Sequence, residues 1–175
     1  MLKPIKATKA RAGGASVAIV ASLYNARYVD AMLRAAKTEL KRAGVRKVLV
    51  IRVPGAFEIP VAVARLAQLG FPHGTRNTQC ALPSAIICLG VILRGQTTHA
   101  AHIAEAVSHA LMQIQIQHGV PVIHEVLLLE NEEQARVRCL GTKHNRGAEA
   151  AQTALAMAKV MANLADKPLA PPKRG

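Results

Sequence analysis

Residues 94–99 read Arg-Gly-Gln-Thr-Thr-His, a run of groups suited to holding a phosphate and moving a proton. Gly95 lets the backbone come close to a ligand. Gln96, Thr97 and Thr98 carry amide and hydroxyl donors. His99 is the one group in the run that titrates near neutral pH. The run follows an apolar, strand-like segment at 85–89 and opens a helical pattern over 97–118. The first N–H groups of a helix have no intrahelical partner, and a phosphate set against them takes them up. Gly90-x-x-x-x-Gly95-x-Thr97 imitates a nucleotide P-loop, but Gln96 stands where that motif needs lysine. The chemistry expected is a phosphate anchor beside a general acid/base. A polar strand-to-helix connection with no ligand is the plain alternative.

Other groups have weaker cases. Tyr24 and Phe57 fall on predicted turns, where they can hold a flat ring, although ordinary packing explains Phe57 as well. Glu58 can accept hydrogen bonds from hydroxyls or simply favour a helix N-terminus. Arg138, Lys143 and Arg146 form a basic cluster, either a solvated face or a phosphate partner. His102, Glu105 and His109 recur along the 97–118 helix. No second group of carboxylates or thiolates supports them as metal ligands, so a solvated polar face is expected and no metal.

The elements that position these groups follow from hydrophobic period. Apolar runs at 16–21, 47–53, 85–89 and 122–129 read as strands, and amphipathic or Ala-rich patterns at 27–43, 97–118 and 148–164 as helices. A short helix follows Pro54–Pro60 through Leu69, another is capped by Asn131, and 70–83 reads as a surface loop. Strands that are nearly continuous apolar runs and alternate with helices imply a parallel sheet covered on both faces. The expected fold is α/β: a three-layer α/β/α sandwich of flavodoxin-like type around a four-stranded parallel sheet. Ligands bind such sheets beyond the strand C-termini, where the chain switches direction. That places Tyr24 and Asn25, the 54–58 turn and the 94–99 turn on one edge.

The 175 residues suit a single domain at 15–165, between a basic tail at 1–14 and a Pro-rich basic tail at 166–175. The net charge of +13 favours phosphates or other polyanions, including nucleic acid. Two Tyr, two Phe and no Trp are few for a protein that stacks bases. Three scattered cysteines without a C-x-x-C argue against a disulfide framework or a zinc site. No apolar segment reads as a secretory signal or membrane span, so a cytoplasmic location is the default expectation.

Several segments then resemble one family in order. They are Ser22-Leu23-Tyr24-Asn25, VPGAFEIP at 53–60, LGVILRGQTTH at 89–99, GVPVI at 119–123, EEQARVR at 132–138 and GTKHNRGAEAA at 141–151. Together they resemble the 6,7-dimethyl-8-ribityllumazine synthases of riboflavin biosynthesis. The resemblance implies condensation of 5-amino-6-(D-ribitylamino)uracil with 3,4-dihydroxy-2-butanone 4-phosphate, releasing phosphate and water, without cofactor. It implies His99 as the proton-transfer residue, and Gly95, Gln96 and Thr97 as the phosphate turn. Arg138 would come to the phosphate from an adjacent subunit. Tyr24 would stack on the pyrimidine, and Asn25, Ala56, Phe57 and Glu58 would hold ring and ribityl chain. Ile92 and Leu93 would read the pyrimidine edge by backbone, and His124 would line a neighbour's site.

The resemblance also implies a homopentamer, and for some members a shell of sixty subunits. A container for polyanionic cargo without catalysis is the alternative from another class. Departures are Ala100 and Ala101 where the family has an aromatic and an acid, and His124 in place of Phe. The segment from Arg138 to Gly141 is one residue longer than usual, and 70–83 is also long.

Overall fold

The computed structural model describes residues 14–69, 82–142 and 144–165. The two expected tails, and most of the 70–83 loop, lie outside the described residues. Four parallel strands, β1 (Ser16–Ser22), β2 (Lys47–Val53), β3 (Ala85–Leu93) and β4 (Val122–Leu129), form one sheet in the order β2-β1-β3-β4. Helices α1 (Ala26–Arg42), α2 (Ile59–Leu69), α3 (His99–His118), α4 (Glu132–Ala135) and α5 (Arg146–Ala165) connect and cover it. This is the expected three-layer sandwich. The chain leaves β1 toward β2 on one side and returns to β3 on the other, so the switch point lies between β1 and β3.

Strand alternation divides the core into two layers. Val17, Ile19, Ala21, Ile87, Leu89 and Ile123 pack with α1 and α5. Ala18, Val20, Ile86, Cys88, Val122 and Val126 pack with α2 and α3. β1 is buried along its whole length, while β2 at the sheet edge is mostly half-buried.

Three boundaries differ from the sequence expectation by two residues or more. β3 does not stop at Leu89 but continues through Gly90 to Leu93, because β4 pairs with it over that whole length, from Ile86↔Val122 to Leu93↔Leu129. Gly90 is an interior strand residue: a Cβ there would stand 3.0 Å from Val126 Cγ1 and 3.3 Å from Ile59 Cδ1, so α2 and β4 close over it. The first half of the P-loop-like frame, residues 90–93, is therefore paired strand rather than a phosphate-cradling loop. α3 begins at His99 instead of Thr97, and α5 at Arg146 instead of Ala148. Arg146 thus leaves the basic turn and pairs with Glu149 one turn along α5.

α1 and α5 pack closely enough that Gly147, in the first turn of α5, lies against the Met32 carbonyl with no room for a Cβ. Gly147→Ala therefore forces the helices apart and is expected to cost about 3 kcal/mol in chemical denaturation. Gly95→Ala, where a Cβ meets nothing within 4 Å, is expected to shift stability by less than about 0.5 kcal/mol.

Candidate active site at the C-terminal edge of the sheet

The site is built where β1 ends and β3 runs on. β1 pairs with β3 only as far as Ala21↔Leu89, so residues 90–93 of β3 stand proud of it. Asn25 fills part of that gap. It sits just before α1 in the left-handed region (φ 56°, ψ 39°), a conformation that costs a non-glycine residue about 1 kcal/mol or more. Its side chain does not cap the helix; Nδ2 donates to the Val91 carbonyl at 2.8 Å. In a parallel sheet successive residues direct their backbone groups to opposite sides. Val91 faces the β1 side, Arg94 N–H faces β4 and bonds Leu129 O at 2.8 Å, and Leu93 therefore faces the β1 side past the last paired residue of β1. That leaves the Leu93 main-chain groups at the strand end beyond the reach of β1. Ile92 is buried and directs its backbone toward β4, so it frames the site by packing.

The turn after β1 is tied to the turn after β2. Leu23 N–H donates to Val53 O at 2.8 Å and Tyr24 N–H to Pro54 O at 3.0 Å. This brings Tyr24 and Phe57 onto adjoining loops, with their side chains 74% and 61% exposed. Two of the four aromatics of the chain are thus left uncovered at one sheet edge, where an apolar ring or a neighbouring chain would cover them. Ala56 is buried, in the core layer that packs with α2 and α3. The Glu58 carboxylate folds back over Gly55, since a Cβ there would stand 2.8 Å from Oε2.

Residues 94–98 form the exposed connection from β3 to α3, with Gly95, Gln96 and Thr97 open to solvent and His99 at the first turn of α3. Gly95 has no positive φ and open space around its Cβ position, so neither backbone conformation nor packing within the chain requires glycine there. Close approach of something outside the chain is the remaining physical reason for it. Arg94 reaches Glu130 across the β3–β4 end at 3.4 Å, an exposed pair.

Two expected site residues stand apart from this cluster. Arg138 is exposed within a π turn, Arg136–Leu140, that continues α4 and packs on α1 and α5. A π turn accommodates an extra residue, and the segment is one residue longer than the motif leads one to expect. His124 lies in mid-β4, opposite Cys88. It faces α3, where Nε2 and Ser108 Oγ are 2.8 Å apart. Ser108 Oγ donates to Ala104 O at 2.7 Å, and Val126 N–H donates to Nδ1 of His124 at 3.3 Å. With Nδ1 accepting from Val126, Nε2 is the ring nitrogen left to donate to Ser108, and desolvation lowers the ring's pKa. In that tautomer the serine accepts from the ring and gives its own proton to Ala104 O, the reverse of an activated nucleophile.

Sequence reading missed Arg52 and Glu125, each a charge set within an apolar stretch of strand. Arg52 bridges Asp30 and the end of β1. Glu125 lies on the α5 side of β4, where burial pushes its pKa up to about 7, against the lowering effect of Arg146. Cys88 and Cys139 are buried thiols raised by burial, and no cluster of potential metal ligands occurs among the described residues. No helix among them is long and apolar enough to cross a membrane.

A three-layer α/β sandwich with a polar turn, a histidine and uncovered aromatics gathered at its switch point defines a class: a doubly wound α/β protein with the layout of a ligand site outside its strand ends. The chain belongs to the 6,7-dimethyl-8-ribityllumazine synthase family, whose sequence model matches residues 14–162. The 6,7-dimethyl-8-ribityllumazine synthase of Xanthomonas oryzae pv. oryzae (strain PXO99A) is 42% identical over 149 residues, 84% of this chain and 90% of its own. Those of Xylella fastidiosa (strain 9a5c) and Kineococcus radiotolerans are 40% and 37% identical, over 88% and 89% of this chain and 94% and 90% of theirs.

Glu125 supplies a pH test. Its folded pKa of about 7 exceeds the ordinary 4.5, so between those values the folded chain keeps a proton that the unfolded chain has released. Its contribution to stability therefore falls as pH rises through that window. Glu125→Gln is expected to raise the denaturation midpoint at pH 8 and to leave it nearly unchanged at pH 4.

Proposed function

We propose that this protein is a working 6,7-dimethyl-8-ribityllumazine synthase, acting on the two substrates that the sequence resemblance implies. The observation that carries the reading is the convergence of the Tyr24–Asn25, Ala56–Glu58 and Leu93–His99 segments on one sheet edge. The Gly95–Thr97 turn takes the substrate phosphate, with no side chain at 95 in the way. Tyr24 and Phe57 cover the pyrimidine faces, the Leu93 backbone reads its edge, and Glu58 accepts hydroxyls of the ribityl chain.

The reaction joins the 5-amino group of the pyrimidinedione to the ketone carbon. Proton transfer to the carbonyl oxygen lets water leave and an imine form. Loss of a proton next to the imine expels phosphate, and the ribitylamino nitrogen closes the ring with loss of a second water. His99, exposed at the mouth of the phosphate turn, carries protons between these atoms. The turn holds the leaving phosphate in place, and holding both reactants together supplies the rest of the acceleration. Ala100 and Ala101 leave His99 without an aromatic or acidic neighbour on its C-terminal side.

Arg138 and His124 act on a neighbouring subunit's site, which makes the assembled oligomer, a pentamer, the active form. The exposed apolar residues Val61 on α2 and Met112 and Ile116 on α3 give the helices of one layer a surface for a second copy to cover. Closure of pentamers into a shell is a further step, read by particle mass.

The test is the appearance of lumazine absorbance from both substrates. Formation well above the spontaneous rate is expected, falling at least tenfold in His99→Ala and in Arg138→Ala. Gly95→Ala is expected to raise KM for the phosphate substrate while stability stays unchanged. Subunits of His99→Ala and Arg138→Ala, dissociated, mixed equally and reassembled, should regain about a quarter of wild-type sites if each site joins two chains. A wild-type rate no higher than background in assembled protein would overturn the reading.

A further inference from the structure

Arg52 is the penultimate residue of β2, a strand otherwise apolar after Lys47. Its guanidinium reaches two flanks of the β1–α1 turn at once. Nη1 donates to Asp30 Oδ1 on α1 at 2.6 Å, and Nη2 donates to the carbonyl of Ser22, the last residue of β1, at 2.9 Å. Between those two anchors lie Leu23, Tyr24 and the left-handed Asn25. The far side of the same turn is held by Asn25 Nδ2 on Val91 O. The turn is thus fixed to β2 through Arg52 and to β3 through Asn25.

Three features separate this arrangement from an ordinary surface ion pair. The fork engages a backbone carbonyl as well as a carboxylate, which sets its plane. The pair is only partly screened, with 26% and 42% of the two side chains exposed, so an ion pair by itself adds little to stability. Arg52 Nε is buried without a hydrogen-bond partner among the described residues, an unfavourable feature in a group kept for stability alone.

We infer that Arg52 is a positioning residue for the ring-binding half of the site: with Asp30 it sets the turn that aims Tyr24 and Asn25. The inference rests on the reading of the protein as a lumazine synthase. Arg52 does not touch the phosphate turn, which hangs from β3 and β4 instead. The two substrates therefore respond differently to its loss. A lysine at 52 can reach Asp30 or the Ser22 carbonyl but has no planar fork to hold both.

The experiment is steady-state kinetics with each substrate varied in turn, on wild type, Arg52→Lys and Asp30→Asn, with thermal midpoint and assembly state measured in parallel. Arg52→Lys is expected to raise KM for the ribitylaminopyrimidinedione about tenfold, to leave KM for the phosphate ketone within twofold, and to keep assembly. Asp30→Asn should shift the same KM in the same direction, by less, because the Ser22 bond survives. Unchanged constants for Arg52→Lys in an active wild-type background would overturn the inference. So would an equal rise in both KM values accompanied by loss of stability, which marks a merely structural role. An inactive wild type would instead sink the reading of the activity, and the inference with it.

Discussion

The hydrogen bond from Asn25 Nδ2 to the Val91 carbonyl is the contact on which the sheet-edge geometry depends. β3 outruns β1 by a stretch that would otherwise leave backbone groups of a central strand without a partner on one side. One asparagine satisfies the first of them and, in doing so, is held in a left-handed conformation that ends β1 and starts α1. The next exposed position along that side, Leu93, is left open at the strand end. The same extension of β3 therefore does two things. It leaves a backbone edge open beyond the end of β1, and it carries the polar run 94–98 out to where α3 begins.

Helix placement completes the arrangement. α3 starts at His99, so the histidine and the turn before it sit at the unsatisfied N-terminal end of a 20-residue helix. On the other flank, β2 supplies both the backbone partners of the Tyr24 turn and the Arg52 fork. The Tyr24 turn is pinned to the main chain after β2 and, through Asn25, to β3, while the 94–98 run hangs from β3 and β4. The core beneath them is aliphatic, split by the sheet into two layers, and contributes rigidity without contributing chemistry.

Much of this was legible in the sequence. Long apolar runs separated by helical patterns specify a parallel sheet, and the switch-point rule then puts Tyr24 and Asn25 and the 54–58 and 94–99 turns on one edge. The end of β3 was not legible, because Gly90 looks like a strand terminator until Val126 and Ile59 are seen packed against it. The π turn was not legible either: one extra residue before Gly141 signals a disturbance, but only packing on α1 and α5 decides that it becomes a widened helical turn rather than a loop. His124 and Glu125 interrupt an apolar strand, and their roles depend on which sheet face each meets. His124 turns to Ser108 on α3 and Glu125 to the α5 side, a distinction that alternation gives only once the register is known. Arg52 is illegible for the same reason, as a cation near the end of an edge strand whose partners are remote in sequence.

The central claim is that the phosphate turn of one copy is completed by Arg138 of another. A crystal structure of the assembled protein grown with inorganic phosphate tests it directly. The account predicts phosphate on the backbone N–H groups of residues 95–97, beside His99, with an Arg138 guanidinium from an adjacent copy within hydrogen-bond distance. Phosphate bound elsewhere, or bound at the turn with Arg138 of every copy directed away from it, would contradict the account.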